Sequence, residues 1–238
     1  MNAHGTAWLP PARTGVKTAH AFCAITLWLA VTISGFGQAP GLCAPLSATS
    51  APTVIRGNVV SVRLHKGRIE VSTNNTAWLE RPAGVSTFFR SITYGMGHFV
   101  AVGGSYLDEP GVIVTSQDGM TWVRRHLNNK INLHSVTWGQ GLFVAVGDEG
   151  AILTSTNGAR WKRQPSKSSA VLAAAAFGNG VFVVGGESGT ILTSTNSIDW
   201  NARSVGRPIY VGTIVFSEGR FLAQSGNVVF VSTNGFDW

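Results

Sequence analysis

Leu153–Trp161 reads LTSTNGARW and Leu192–Trp200 reads LTSTNSIDW, with Leu, Thr, Ser, Asn and Trp kept while the other positions drift. The motif occurs five times: STNNTAW at Ser72–Trp78, SQDGMTW at Ser116–Trp122, STNGARW at Ser155–Trp161, STNSIDW at Ser194–Trp200 and STNGFDW at Ser232–Trp238. Its third residue is Asn74, Asp118, Asn157, Asn196 and Asn234 in turn, and successive tryptophans stand 44, 39, 39 and 38 residues apart. Ser-x-(Asn/Asp)-x-x-x-Trp at a near-constant period marks a chain made of one repeated supersecondary unit.

Upstream of each motif the likeness continues. SVTWGQGLFVAVGDEGAILTSTNGARW (Ser135–Trp161) parallels AAAFGNGVFVVGGESGTILTSTNSIDW (Ala174–Trp200). Short apolar, β-branched runs between glycine-rich pairs predict four strands per unit, here Ser135–Trp138, Leu142–Val146, Ala151–Ser155 and Arg160–Arg163. Gly139-Gln140-Gly141, Asp148-Glu149-Gly150 and Asn157-Gly158 would turn the three hairpins. Asn-Gly suits a two-residue turn that needs positive φ. The motif Ser would bond the turn backbone, and the Trp ring would cover the turn from beneath. No unit carries a 3.6-residue apolar period, which excludes helical and leucine-rich solenoids. Four antiparallel strands per unit of about 39 residues describe an all-β fold, a β-propeller. Its blades fall at 53–84, 86–127, 131–166, 171–205 and 210–238, the first degenerate and the last incomplete.

The first 37 residues read differently. Arg13 and Lys17 precede the apolar run Ala21–Phe36, and no further Asp, Glu, Lys or Arg appears before Arg56. A basic lead, a short apolar run and small residues at Gly35 and Gly37 predict a secretory signal over 1–37, cleaved before Gln38, with 38–52 as a linker. Ala39 or Ala44 are other candidate cleavage sites, and an uncleaved anchor is the alternative. The run is short for a membrane span, which needs roughly 20 apolar residues. The expected location is therefore secreted, periplasmic or cell-surface, with no membrane attachment after cleavage. Cys23 falls in the signal and Cys43 in the linker, so no disulfide is expected.

The repeat resembles the Asp-box (BNR) repeat of sialidase-like propellers, and more closely bacterial propellers with units such as GLFVAVGDEGAILTSTNGARW. The photosystem II assembly-factor propellers belong to the same broad group. The resemblance covers Thr53–Trp238. Asn stands for Asp in four of the five copies, and the turn is one residue shorter before the Trp. In that family the boxes are structural, so the resemblance implies fold and no activity. Trp238 falls where the outermost strand of unit five is due. The expectation is a segment of a longer propeller or an open arc. A ring completed by strand exchange, by dimerisation or as five blades is the alternative.

Chemistry, if present, is expected on the face shared by the loops between second and third strands and the loops between blades. Those loops hold Asp108, Glu109, Asp148, Glu149 and Glu187, five of the eleven acids. Asp108, Asp148 and Glu187 are the candidate catalytic carboxylates, since a pair of carboxyl groups can hydrolyse a glycosidic bond. Arg90 and His134 occupy equivalent places before the innermost strand and, with Glu109 and Glu149, are the candidate ligand-binding residues. The bland alternative is that acids and glycine are simply good turn formers. Basic residues after the tryptophans (Arg124, Arg125, Lys162, Arg163, Arg203) suit edge strands that must not aggregate.

The net charge of +7, two lower without Arg13 and Lys17, is too small and scattered for a nucleic-acid partner. The histidines lack metal-ligand spacing, and no phosphate-cradling or nucleophile-elbow motif appears, so no cofactor or metal is expected. Val54-Ile55-Arg56-Gly57 does not match the Arg-Ile-Pro of sialidases. The expected function is a non-enzymatic binding or scaffolding module for a glycan or protein partner. A propeller-type glycoside hydrolase is the alternative.

Overall fold

The computed structural model describes residues 54–57, 59–104, 111–127 and 131–238. The expected signal and linker, and the candidates Asp108 and Glu109, lie outside the described residues. The rest is five antiparallel meanders. Blade one is β1 (Val54–Arg56), β2 (Ser61–His65), β3 (Arg68–Ser72) and β4 (Leu79–Glu80). Blade two is β5 (Phe89–Gly95), β6 (His98–Gly103), β7 (Val112–Ser116) and β8 (Val123–Arg125). Blade three is β9 (Leu133–Gly139), β10 (Leu142–Gly147), β11 (Ile152–Ser155) and β12 (Lys162–Gln164). Blade four is β13 (Leu172–Gly178), β14 (Val181–Gly186), β15 (Thr190–Ser194) and β16 (Asn201–Ser204). Blade five has three strands, β17 (Thr213–Ser217), β18 (Arg220–Ser225) and β19 (Val228–Ser232).

Turn chemistry sets the register. Between β9 and β10, Gln140 and Gly141 take φ of 47° and 75°, and Gly139 pairs with Leu142. Between β10 and β11, Glu149 and Gly150 take 55° and 62°, and the Ala151 N–H donates to the Asp148 carbonyl at 3.0 Å. Both are two-residue turns whose twist matches the flanking strands.

The third turn corrects the expectation for Asn157-Gly158. The left-handed residue is Gly158 (φ 68°), matched by Asn75, Gly119, Ser197 and Gly235 in the other copies, whereas Asn157 keeps ordinary φ. Five residues lie between Ser155 and Trp161, too many for a two-residue turn, and a side chain closes the gap. Asn157 Oδ1 accepts the N–H groups of Ala159 and Arg160 at 2.9 and 3.0 Å, and the Ser155 hydroxyl donates to it at 3.2 Å. The Trp161 indole N–H donates to the Gly158 carbonyl at 2.8 Å. Asn and Asp favour such turns because one oxygen satisfies two successive backbone donors. The same bonds recur at Asp118, Asn196 and Asn234, with the indole bond from Trp122, Trp200 and Trp238. Asn74 makes the two oxygen contacts as well, to Thr76 and Ala77.

The core lies between blades. Four apolar clusters join one to two, two to three, three to four and four to five. Phe99, Phe143, Phe182 and Phe221 fill one equivalent position at 1% exposure or less. Each such ring stabilises the fold by roughly 1.5–3 kcal/mol. Two devices lock adjacent blades. A Cβ on Gly95, Gly139 or Gly178 would overlap the ring of Trp138, Phe177 or Phe216 from the next blade. The buried Ser91 hydroxyl accepts the Val136 N–H at 3.1 Å and donates to the Val136 carbonyl at 3.4 Å, and Ser135 accepts the Ala175 N–H at 3.1 Å.

The two ends of the stack differ. Arg63 pairs with Glu70 in the register where Ala101 pairs with Val114 in blade two, and those two pack against blade one. Blade one therefore turns charge outward. Arg63 and His65 contact Glu70 at 2.7 and 3.0 Å, Arg68 contacts Glu80 at 2.6 Å, and the Arg63 guanidinium lies 4.2 Å over the Trp78 ring. Partial burial raises the Glu70 carboxyl, but the hydrogen bonds and charges of Arg63 and His65 outweigh it and hold it below the usual carboxylate range. At the other end Val229 and Val231 are about half exposed, at 50% and 47%, although their blade-four equivalents Ile191 and Thr193 are buried.

Candidate functional site

The innermost strand of each blade begins at the loop face. Arg90 is the second residue of β5 and His134 the second of β9, with Ala173 and Gly212 at the corresponding places in blades four and five. Arg90 is exposed. His134 is not: it meets Asp148, its Nε2 standing 2.6 Å from the Asp148 Oδ1. Two residues singled out separately in the sequence thus form one unit.

A third residue, not anticipated, completes that unit. Asn132 donates its amide N–H to the other Asp148 oxygen at 3.1 Å, and the Asp148 backbone N–H donates to the Asn132 carbonyl at 3.1 Å. This is possible because β9 and β10 shift register at Val146/Gly147 and because residue 147 is glycine; a Cβ there would overlap the Asn132 carbonyl. The only sequence signal was position, since Asn132 falls in the loop just before the innermost strand. The carboxylate fixes the imidazole. In its neutral form the ring then carries its proton on Nε2 and presents Nδ1 as an acceptor. Among the described residues no hydroxyl or thiol is hydrogen-bonded to His134.

The other candidates stand apart from it. Glu187 Oε2 accepts the Val171 N–H at 3.2 Å, closing its own blade's loop. Glu149 sits in a left-handed turn conformation, and its carbonyl, not its carboxylate, receives Arg163 Nη2 at 3.1 Å. Asp118, the one true aspartate of the five boxes, is lowered to about 2: the Thr121 N–H has the largest effect, burial opposes it, and the Ser116 hydroxyl and the Met120 N–H lower it further. Among the described residues no group of three or more His, Cys, Asp or Glu is placed to hold a metal ion.

The feature that sequence reasoning missed is a groove of ≈350 Å³ beside the second box and a larger one of ≈570 Å³ along the connection from blade one to blade two. The larger runs over Gly67–Ile69 and Glu80–Phe89. Most of its lining comes from the connection between β4 and β5, which holds none of the recurring box or hairpin residues.

No protein-family model matches the chain, and no curated protein matches it. Solved structures do. One described as YCF48 bound to D1 peptide is 14% identical over 87% of this chain and 71% of its own, with a TM-score of 0.60. YCF48 from Cyanidioschyzon merolae is 14% identical over 84% of this chain and 74% of its own, with a TM-score of 0.52. Likeness of backbone at that identity speaks for architecture alone: by fold, the described residues form five blades of a β-propeller.

Proposed function

We propose that this chain is a non-catalytic scaffold that holds a segment of a protein partner against the loop face of its blades. The observation that carries this reading is how the loop-face carboxylates are used. Asp148 is taken up by His134 and Asn132, and Glu187 by the Val171 N–H. Glycoside hydrolysis needs two carboxyl groups facing one bond. Among the described residues Asp148 and Glu187 each have partners of their own, while a propeller of like fold has been seen with a peptide bound. A glycan partner remains the second choice, since neutral loop groups also suit sugar hydroxyls.

The test is to offer the immobilised full chain a peptide array and a glycan array at micromolar concentration, with a polysaccharide-cleavage assay alongside. The scaffold reading expects retained peptides and no cleavage. Cleavage that disappears in Asp148→Asn or Glu187→Gln would replace it with the hydrolase. We also propose export with removal of 1–37, on the strength of Arg13, Lys17 and the apolar run after them. N-terminal sequencing of protein recovered outside the cytoplasm should begin at Gln38.

A further inference from the structure

We infer that the groove between blades one and two is a carboxylate-recognition site, taking a peptide that offers a carboxylate to Arg81 and Thr87 next to an apolar side chain laid on Phe88. This rests on the scaffold reading and names where the partner binds.

Three observations converge. First, Arg81 Nε and Thr87 Oγ1 are both buried atoms without a hydrogen-bond partner, and both residues line the groove. Buried polar groups are nearly always paired, so these two give the groove wall hydrogen-bonding capacity that the chain itself leaves unused. A guanidinium only donates and a hydroxyl can donate, so the occupant must accept. Second, the lining charges do not cancel. Arg68 and Glu80 neutralise each other at 2.6 Å, whereas among the described residues no carboxylate pairs with Arg81. Arginine is the side chain best shaped for a carboxylate. Third, Phe88 is 66% exposed although its neighbour Phe89 is buried. The peptide group that follows it is held at both ends: the Phe89 N–H donates to the Gly67 carbonyl at 2.9 Å, and the Phe88 carbonyl accepts from the Gly104 N–H at 3.4 Å. Gly67 lies directly under the ring, where a Cβ would collide with it. Phe88 is thus a fixed apolar platform beside an unsatisfied cation.

The carboxylate can come from a chain terminus or from an Asp or Glu side chain. Three probes separate the sources: acetyl-Ala-Ala-Leu with a free carboxyl end, its C-terminal amide, and amidated acetyl-Ala-Glu-Leu. Calorimetry on the full-length chain should show binding of the first or the third and none of the amide. Arg81→Gln should weaken that binding at least tenfold, as loss of a charge-assisted bond does. Thr87→Val should weaken it severalfold, and Thr87→Ser should restore it. Thermal melts within a few degrees of wild type would confirm folded variants, and Phe88→Ala gives an independent readout on an exposed residue. Equal binding of acid and amide overturns the proposal. So does peptide binding that Arg81→Gln, Thr87→Val and Phe88→Ala all leave intact, although the scaffold reading then survives with its site elsewhere. No retention of any peptide, here or on the array, overturns both.

Discussion

The indole of Trp138 occupies the space where a side chain on Gly95 would begin, one blade away. Gly95 closes β5 and Trp138 lies near the end of β9, so the contact joins the innermost strands of blades two and three. Gly95→Ala should lower stability by about 1–3 kcal/mol through overpacking. Adding Trp138→Leu should recover part of that loss by making room. Urea midpoints of the two single variants and the double variant would check the coupling; purely additive losses would mean that the ring does not seat on residue 95.

A hydroxyl bridges the same interface. Ser91→Ala removes the acceptor for the buried Val136 N–H, a loss of about 1–3 kcal/mol because nothing else is positioned to take it. Amide exchange at Val136 should quicken more than exchange elsewhere in β9. Unchanged protection at residue 136 would contradict the bond.

Asp118 allows a pH test that its four asparagine counterparts cannot. Its pKa is lowered from 3.8 to about 2 by folding, so its contribution is complete above the unfolded value and is lost as pH falls through about 2. Asp118→Asn does not titrate there. The stability difference between wild type and variant should shift against the wild type between about pH 4 and 2 and stay flat from 5 to 8. Melting curves across both ranges decide it, and a difference constant down to pH 2 would refute the assignment.

His134 should be found in the Nε2-protonated form when neutral, since Asp148 Oδ1 lies 2.6 Å from that nitrogen. Ring nitrogen-15 shifts report the tautomer directly. Asp148→Asn should release the ring into a mixture of both tautomers, and an unaltered spectrum in that variant would show that Asp148 does not set it.

Much of the fold was legible because the physics that makes it is repeated. The five boxes, the glycine pairs at the hairpins and the alternation of Val and Ala each recur, so one strand pattern read at Ser135–Trp161 serves blades two to four. The misread turn at Asn157 is instructive. Asn-Gly suggested positive φ at the asparagine, but its side-chain oxygen was committed to the N–H groups of Ala159 and Arg160, which leaves the glycine alone on the left-handed side. The site was far less legible. Arg90, His134, Asp148 and Glu187 were found by position within the repeat, yet which of them meet depends on a register shift at Gly147 that no composition reveals. Arg81, Thr87 and Phe88 stand in the connection between β4 and β5, at none of the recurring motif positions, so nothing in the pattern drew attention to them.

The ring-and-glycine contact between blades also says how such a chain can grow or shrink. Tyr94-Gly95, Trp138-Gly139 and Phe177-Gly178 are neighbours in sequence, so each repeat bears a plug for the blade behind it and a socket for the one ahead. A tandem duplication of the coding segment therefore delivers a finished joint, and a deletion of one whole repeat leaves the remaining halves compatible. Phe216-Ser217 keeps the plug and alters the socket. A unit seated ahead of blade five in the same manner would need a smaller side chain where the others carry a ring.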